Sequence, residues 1–335
     1  MATFFEIGLE IQLGKDNQLM KIHRLINWER LRGYLKKVRK TDPVTGGREG
    51  YDELSMFKAI LLGQWHNLSD PGLEESLRVR LDFMAFTGFQ MGESIPDETT
   101  LCRFRNRLIE LKLDKTLMRK VNQELSRIGI EIEKAKGAII DATIIASSAR
   151  PEAKEVVVMD REEETGVHTM GHVESRASKD PDARWLKKGN KTYFGYKSFV
   201  SVSQGDGYIQ ATHVTSANVS EMTEFRSFIH EIQSPEIFTD KGYACKANED
   251  LLKTLNKKSR IMKKAARNRP LTRWEKRFNK LISKTRFKVE QAFGTLKRRF
   301  LMTRFRYISL AKVNAQMAFK AIGFNLLKAA NSVKF

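Results

Sequence analysis

Apolar positions recur at three- and four-residue steps through the first 134 residues, with polar, Gly- and Pro-containing breaks at 41–50, 69–72 and 92–97. That period predicts helices near 26–38, 52–66, 73–86, 98–110 and 114–128, and no strand alternation competes with them. Near residue 135 the pattern changes. Residues 137–146 form a β-rich apolar run, and two further strand-like runs, 192–203 and 208–215, are joined by Gln-Gly-Asp-Gly, which predicts an antiparallel hairpin. A helix near 218–232, a strand at 236–240, a helix near 246–256, a strand at 259–264 and a long C-terminal helical region follow. The order βββαβαβα calls for an α/β fold in which helices flank a mixed five-stranded sheet. It also divides the chain into an all-helical N-terminal domain, 1–134, and a sheet-containing domain, 135–335. The polar stretch 147–190 is too long for an ordinary connection and reads as a functional loop.

Composition narrows the class. The chain has 335 residues, 41% apolar and 9% aromatic, which is enough for a real core and excludes a wholly disordered protein. No run approaches 18 uncharged apolar residues, and the first residues carry acids where a signal peptide would carry positive charge. Two cysteines, Cys102 and Cys245, cannot build a disulfide framework. The expectation is a cytoplasmic, nucleoid-associated protein without a membrane span. The net charge is +20, and its placement matters more than its size: between Lys253 and Lys312 stand 21 Lys and Arg against only Glu275 and Glu290. Such a block releases counterions from a polyanion and points to nucleic acid. A helix near 98–110 carrying Arg103 and Arg107 on one face is compatible with a helix-turn-helix that lays a recognition helix on DNA.

Three acids stand out against this background. Asp141 interrupts the isoleucine-rich run, where an ionised carboxylate is costly unless a cation or hydrogen bonds compensate it. Asp240 closes a short strand, at the end where open α/β sheets place their chemistry. Glu290 lies in the basic block; at about 100° per residue it shares a helix face with Arg286 and Lys297, within about 40°. The apolar positions Trp274, Phe278, Leu281, Ile282, Val289, Phe293, Leu296 and Phe300 form a separate stripe, so the aromatic residues here read as packing rather than as base-stacking platforms. Two strands and a helix thus supply carboxylates beside a basic surface, the equipment for metal-assisted chemistry on a phosphodiester. Competing motifs are weak. His168 and His172 are four apart but lack a zincin glutamate, and no GxxxxGK[ST] phosphate loop is present.

The segments around these acids resemble the DDE transposases of bacterial insertion sequences, specifically the insertion sequence five group. The matching pieces are Asp-Ala-Thr-Ile-Ile from Asp141, the run from Lys187 to Lys197, Phe-Thr-Asp-Lys-Gly-Tyr around Asp240, and the run from Arg286 to Phe300. The last is similar to the signature Tyr-x2-Arg-x3-Glu-x6-Lys, with Arg286, Glu290 and Lys297 in place and Ser283 at the tyrosine position. Pieces at 63–77 and 94–108 extend the likeness into the helical half. The resemblance implies a ribonuclease-H-like catalytic domain in which Asp141, Asp240 and Glu290 hold Mg²⁺ or Mn²⁺. It implies DNA partners, the terminal inverted repeats and a target, and a homodimer or higher synaptic assembly. Arg286, Lys297, Arg298 and Arg299 would contact phosphates. Asp180, Asp182 and Arg184 are near matches to the family without an assigned role. Two other readings compete: a DNA-binding regulator, which leaves Asp141 unexplained, and a simple endonuclease or ribonuclease, which could use the same ligands.

Overall fold

The computed structural model describes residues 8, 11–14, 16–38, 50–151, 153–157, 160–161, 168–169, 173–176 and 178–333, and side chains throughout these except between 153 and 176. The helical half contains α1 (Gln18–Leu25), α2 (Glu29–Leu35), α3 (Glu53–Trp65), α4 (Asp70–Val79), α5 (Leu81–Thr87), α6 (Glu98–Glu110) and α7 (Leu113–Arg127). Side-chain caps start several of them. Asp52, Ser69 and Asp97 each accept a backbone N–H of the first turn, at 2.9, 3.1 and 2.6 Å.

Beyond them come β1 (Gly137–Ala146), β2 (Arg184–Lys188), β3 (Lys191–Ser203), β4 (Ile209–Ser216), α8 (Glu221–Phe228), β5 (Glu236–Thr239), α9 (Lys246–Thr254), β6 (Lys258–Ile261), α10 (Arg273–Arg298) and α11 (Leu310–Ser332). The strands form one six-stranded sheet, β6-β5-β1-β3-β2, in which β4 also pairs with β3. β1 and β5, and β5 and β6, run parallel, whereas β3 is antiparallel to β1, β2 and β4. Odd residues of β1, such as Ile139 and Ile145, pack with α10 and α11; even residues, such as Ala138 and Ile140, pack with α8 and α9. Both faces of β1 are therefore covered, which is why its sequence reads as a continuous apolar run.

α11 is apolar all round and sits in the middle of the larger core, packed on α1, α3, α6, α7 and β4. Asn325 fixes its height: it donates to Asn122 of α7 and to the Ile209 carbonyl, and accepts from the Ile209 N–H, each at 2.8 Å. One core cluster thus runs from the N-terminal helices to one face of the sheet. Among the described residues no helix is long and apolar enough to cross a membrane.

Several expectations need correction. The sheet has six strands rather than five, because β2 lies inside the polar stretch read as a loop. Its mostly exposed side chains carry no apolar alternation, and Gly189 at φ 61° turns the chain into β3. Two short ribbons, Ala153–Val157 with Val173–Arg176 and Asp160–Arg161 with His168–Thr169, also lie within it. The His168/His172 spacing falls outside the residues whose side chains are described. The helix expected at 73–86 is two helices, broken where Arg80 turns extended (φ −94°, ψ 114°) and binds Asp82. The helix expected at 26–38 begins at Glu29 after a separate α1, and closes in a 3-10 turn, Lys36–Val38.

Candidate active site

Asp141 stands at the middle of β1, opposite Val200 of β3. On the other side β1 pairs in parallel with β5, Ala138 with Ile237 and Ile139 with Phe238. Continuing that register two residues brings Asp141 level with Asp240, on strands about 4.8 Å apart. The sequence separates these two carboxylates by 99 positions, and the parallel pairing removes that distance. Asp240 follows directly on β5, and its Oδ1 accepts the Gly242 N–H at 2.5 Å in a tight turn, which fixes the carboxylate at the strand end.

α10 crosses β1, β3 and β5 on the odd face of β1. Arg286 donates from Nη2 to Asp141 Oδ2 at 2.7 Å, and Lys297 donates to Thr143 Oγ1 at 2.7 Å. The two cations therefore reach successive odd residues of the same strand. Burial pushes the Asp141 carboxyl up from its usual range; Arg286 and the Ala142 N–H oppose that shift, and the negative charge of Asp240 adds to it. Burial lowers the Lys297 ammonium, with nearby Lys188 acting in the same direction.

The third acid is placed differently. Glu290 lies on α10 between Arg286 and Lys297, is exposed, and has no hydrogen-bond or ion-pair partner among the described residues. No group of three His, Cys, Asp or Glu among the described residues stands close enough to hold a metal ion. The structure thus brings Asp141, Arg286 and Lys297 together at the middle of β1, level with Asp240 at the end of β5, and leaves Glu290 on the neighbouring helix face, its side chain unengaged.

Arg298 and Arg299 do not belong to this cluster. Both are exposed; Arg298 binds the Gly294 carbonyl within its own helix at 3.3 Å, and Arg299 binds Gln18 of α1 at 2.7 Å. Arg103 and Arg107 lie on α6, which packs on α3, α4, α7 and α11. They line a cleft with Tyr51, Met56 and Phe104, and Arg107 pairs with Glu110 at 3.1 Å. The buried Arg105 between them is the structural residue of that helix: it grips Asp70 through two bonds, 2.5 and 2.9 Å, and lies 4.5 Å over the Tyr307 ring. The aromatic stripe on α10 also departs from expectation. Ile282, Val289, Phe293 and Leu296 are buried, but Trp274 is 64% and Leu281 59% exposed, and Trp274 stacks only on Phe278 at 5.3 Å. The apolar period thus continues into turns where Phe278 still packs on the core but Trp274 and Leu281 are left to solvent.

Sequence reasoning missed Tyr243, Lys241, Lys263 and Asn279. Tyr243 is fully buried, its hydroxyl lacks a partner, and burial together with the charges of Glu221, Asp141 and Asp240 raises its pKa. Its signal was present, since it closes the Asp-Lys-Gly-Tyr turn. Asn279 of α10 exchanges two hydrogen bonds, 2.8 and 2.9 Å, with the Lys263 backbone beyond β6. Together with Asp240, Lys241, Met262, Lys264, Leu271 and Arg286, these two line a cavity of about 450 Å³ beside the aspartates. Nothing in the pattern of 262–272 announces a pocket wall, because it is built by a loop folding over a distant helix.

A mixed α/β sheet here sets two carboxylates level on neighbouring strands, beneath a helix that brings two cations to the same place. Residues 133–326 match the family Transposase DDE domain, and residues 8–107 match the family Transposase domain (DUF772). The chain belongs to the DDE transposases of insertion sequences, enzymes of DNA transposition. It is 37% identical over 230 residues to the transposase for insertion sequence element IS1106 of Neisseria meningitidis serogroup B, covering 68% of this chain and 77% of the relative. A solved piggyBac transposase synaptic complex with hairpin DNA aligns over 98% of this chain and 75% of its own at TM-score 0.41 and 11% identity, too distant to bear on the argument.

Proposed function

We propose that this transposase binds the terminal inverted repeats of its element, cleaves the DNA at the element ends and joins the freed 3′-hydroxyl to target DNA. Asp141, Asp240 and Glu290 are the catalytic acids in this reading. The observation that carries it is the register that sets Asp141 level with Asp240 while Arg286 and Lys297, from one face of α10, reach the same strand. The central β1, with an antiparallel neighbour on one side and a parallel one on the other, supports a ribonuclease-H-like sheet. The family matches break between residues 107 and 133, in keeping with a helical DNA-binding and assembly domain to residue 134 and a catalytic domain from 135.

Enzymes of this family use divalent metal ions, and the donor set here fits one in part. Asp141 and Asp240 offer hard oxygen donors side by side, with mutual repulsion that a cation would relieve. Bound Mg²⁺, or Mn²⁺ in its place, would supply activation of the attacking oxygen and stabilisation of the leaving one. Glu290 completes the set only if its unpartnered side chain swings toward the strand, and Arg286 gives up part of its hold on Asp141 when it does. Released in this way, Arg286 is placed to hold a phosphate next to the acids, with Lys297 one strand step further. Arg298 and Arg299 would contact the duplex outside the pocket, and Arg103 and Arg107 would contact it from the helical domain. Two ends and one target require a dimer or higher assembly.

The test is end cleavage on DNA carrying the element's own termini. Nicking at the element boundary that requires Mg²⁺ or Mn²⁺, followed by joining to a plasmid, is the expected result. Nicking without joining of a pre-cut end would instead favour a nuclease.

A further inference from the structure

α10 has a second polar face that the proposed reaction does not use. Arg273, Arg277, Lys280 and Lys284 are all exposed, and none has an ion-pair or hydrogen-bond partner among the described residues. At about 100° per residue the four fall within about 60° of one another, centred about 130° round the helix from Arg286, Glu290 and Lys297. They extend over about 16 Å of helix axis.

This ridge is unfavourable for the isolated helix on two counts. Like charges at three- and four-residue spacing repel. Arg273 and Arg277 also stand in the first turns of α10, where the helix dipole is already positive. The one acid nearby, Glu275, is engaged by Thr272 in the capping box and by Arg269 at 3.6 Å. A bound polyanion removes both penalties.

We infer that the ridge of Arg273, Arg277, Lys280 and Lys284 is the docking surface for the target duplex, separate from the element end held beside the acids. The inference rests on the transposase reading above, at its joining step. Four exposed cations with no partner to fix a side chain against a base edge suit phosphate contacts, which hold any sequence. A target of arbitrary sequence needs that kind of contact, whereas element ends have to be recognised by sequence. The ridge and Glu290 share one helix but face about 130° apart, so a duplex on the ridge stays clear of the face that carries Arg286, Glu290 and Lys297.

The deciding experiment uses the full chain with all four residues changed: Arg273→Ala, Arg277→Ala, Lys280→Ala and Lys284→Ala. The log–log salt dependence of binding to a duplex lacking the inverted repeat should flatten by about 3 to 4 units of slope. Cleavage of inverted-repeat DNA should stay within twofold of wild type, and joining of a pre-cut end to a plasmid should fall at least tenfold. A second variant, Arg273→Lys with Arg277→Lys, should keep wild-type joining. An unchanged slope, or unchanged joining by the alanine variant, overturns the inference and leaves the transposase reading standing. Cleavage falling in step with joining would merge the ridge with the element-end site and also overturn it. A shift in the sedimentation of the DNA-free variant would assign the ridge to a second copy of the chain instead. Failure of wild type to join pre-cut ends would overturn the transposase reading itself.

Discussion

Arg286 binds the Asp141 carboxylate at 2.7 Å, joining the middle of α10 to the middle of the central strand across 145 residues of sequence. Both side chains are largely buried, at 14% and 18% exposure, so neither charge is well solvated without the other. Arg286→Ala should therefore destabilise the metal-free protein by about 1–3 kcal/mol, the cost of leaving a partly buried charge unmatched. Denaturant melts with and without Mg²⁺ check this. The ion should stabilise the variant more than the wild type, because it replaces the missing positive charge; equal gains would place the metal away from Asp141.

Removing any of the three acids should stop the chemistry. Asp141→Ala, Asp240→Ala and Glu290→Ala are each expected to lower metal-dependent end cleavage by about a thousandfold or more, a loss of about 4 kcal/mol in transition-state stabilisation. DNA affinity should hold or rise, since a negative charge leaves the neighbourhood of phosphate. Glu290 is the sharpest of the three, being the one the structure leaves outside the cluster. Wild-type turnover in Glu290→Ala would show that the aspartates work without it.

Lys297 should behave as a phosphate contact. Lys297→Ala is expected to weaken binding to all duplexes alike and to reduce the salt slope by about one unit. Its bond to Thr143 offers a control, because Thr143→Val removes the partner but keeps the charge. Titrations of both variants across ionic strength separate the two effects; a slope unchanged in Lys297→Ala would show that the ammonium serves only to pin α10 to β1.

Much of this site could be read in the sequence, and the reason is local. An aspartate inside an isoleucine run and an aspartate closing a strand are both anomalies that a window of ten residues exposes. Their meeting is also inferable once β1 and β5 are neighbours in a parallel sheet. The position of Glu290 was not legible: a helix period fixes which face a residue occupies, not how far that face stands from the strand beneath. The same limit explains Trp274 and Leu281, which continue the apolar period of α10 but stay exposed. β2 was hidden because an edge strand with charged side chains carries no pattern, and Arg80 because one extended residue does not disturb the period on either side.

Asp180, a residue of the same polar stretch, turns out to organise it. Its fully buried carboxylate accepts from Ser147 Oγ at 2.6 Å, from Tyr196 Oη at 2.5 Å and from the Ser309 and Asp182 N–H groups at 3.4 Å each, while Asp182 accepts the Leu310 N–H at 2.7 Å. The two aspartates together tie the ends of β1 and β3 to the start of α11 and complement its helix dipole. Asp180→Ala would strand four donors and should cost about 2–4 kcal/mol in chemical denaturation. Tyr196→Phe removes one of the four bonds, so its cost should be smaller and should largely vanish in the Asp180→Ala background. Additive losses in that double-mutant cycle would mean that the two groups do not share one network.

Lys320 gives the fold a pH dependence with a definite sign. It is fully buried in α11, donates to the Phe300 carbonyl and, at 3.2 Å, to Asn67, and burial with nearby Arg306 lowers its pKa from 10.5 to about 7. Between those values the unfolded chain binds a proton that the folded chain has released, so stability rises with pH from about 7 toward 10. One fully coupled proton gives a slope of about 1.4 kcal/mol per pH unit. Lys58, lowered by burial to about 8, acts in the same direction over a narrower window. Tyr196, Tyr208, Tyr243 and Tyr307 are all raised above 10.0 by burial and stay protonated throughout this range. Chemical denaturation at pH 7, 8 and 9 should therefore show increasing stability, and Lys320→Met should flatten the trend. The slope, rather than the stability at one pH, is the readout, because Met also leaves the Phe300 carbonyl without its donor and shifts every point by the same amount. An undiminished slope in Lys320→Met would show that the ammonium keeps its proton in the core.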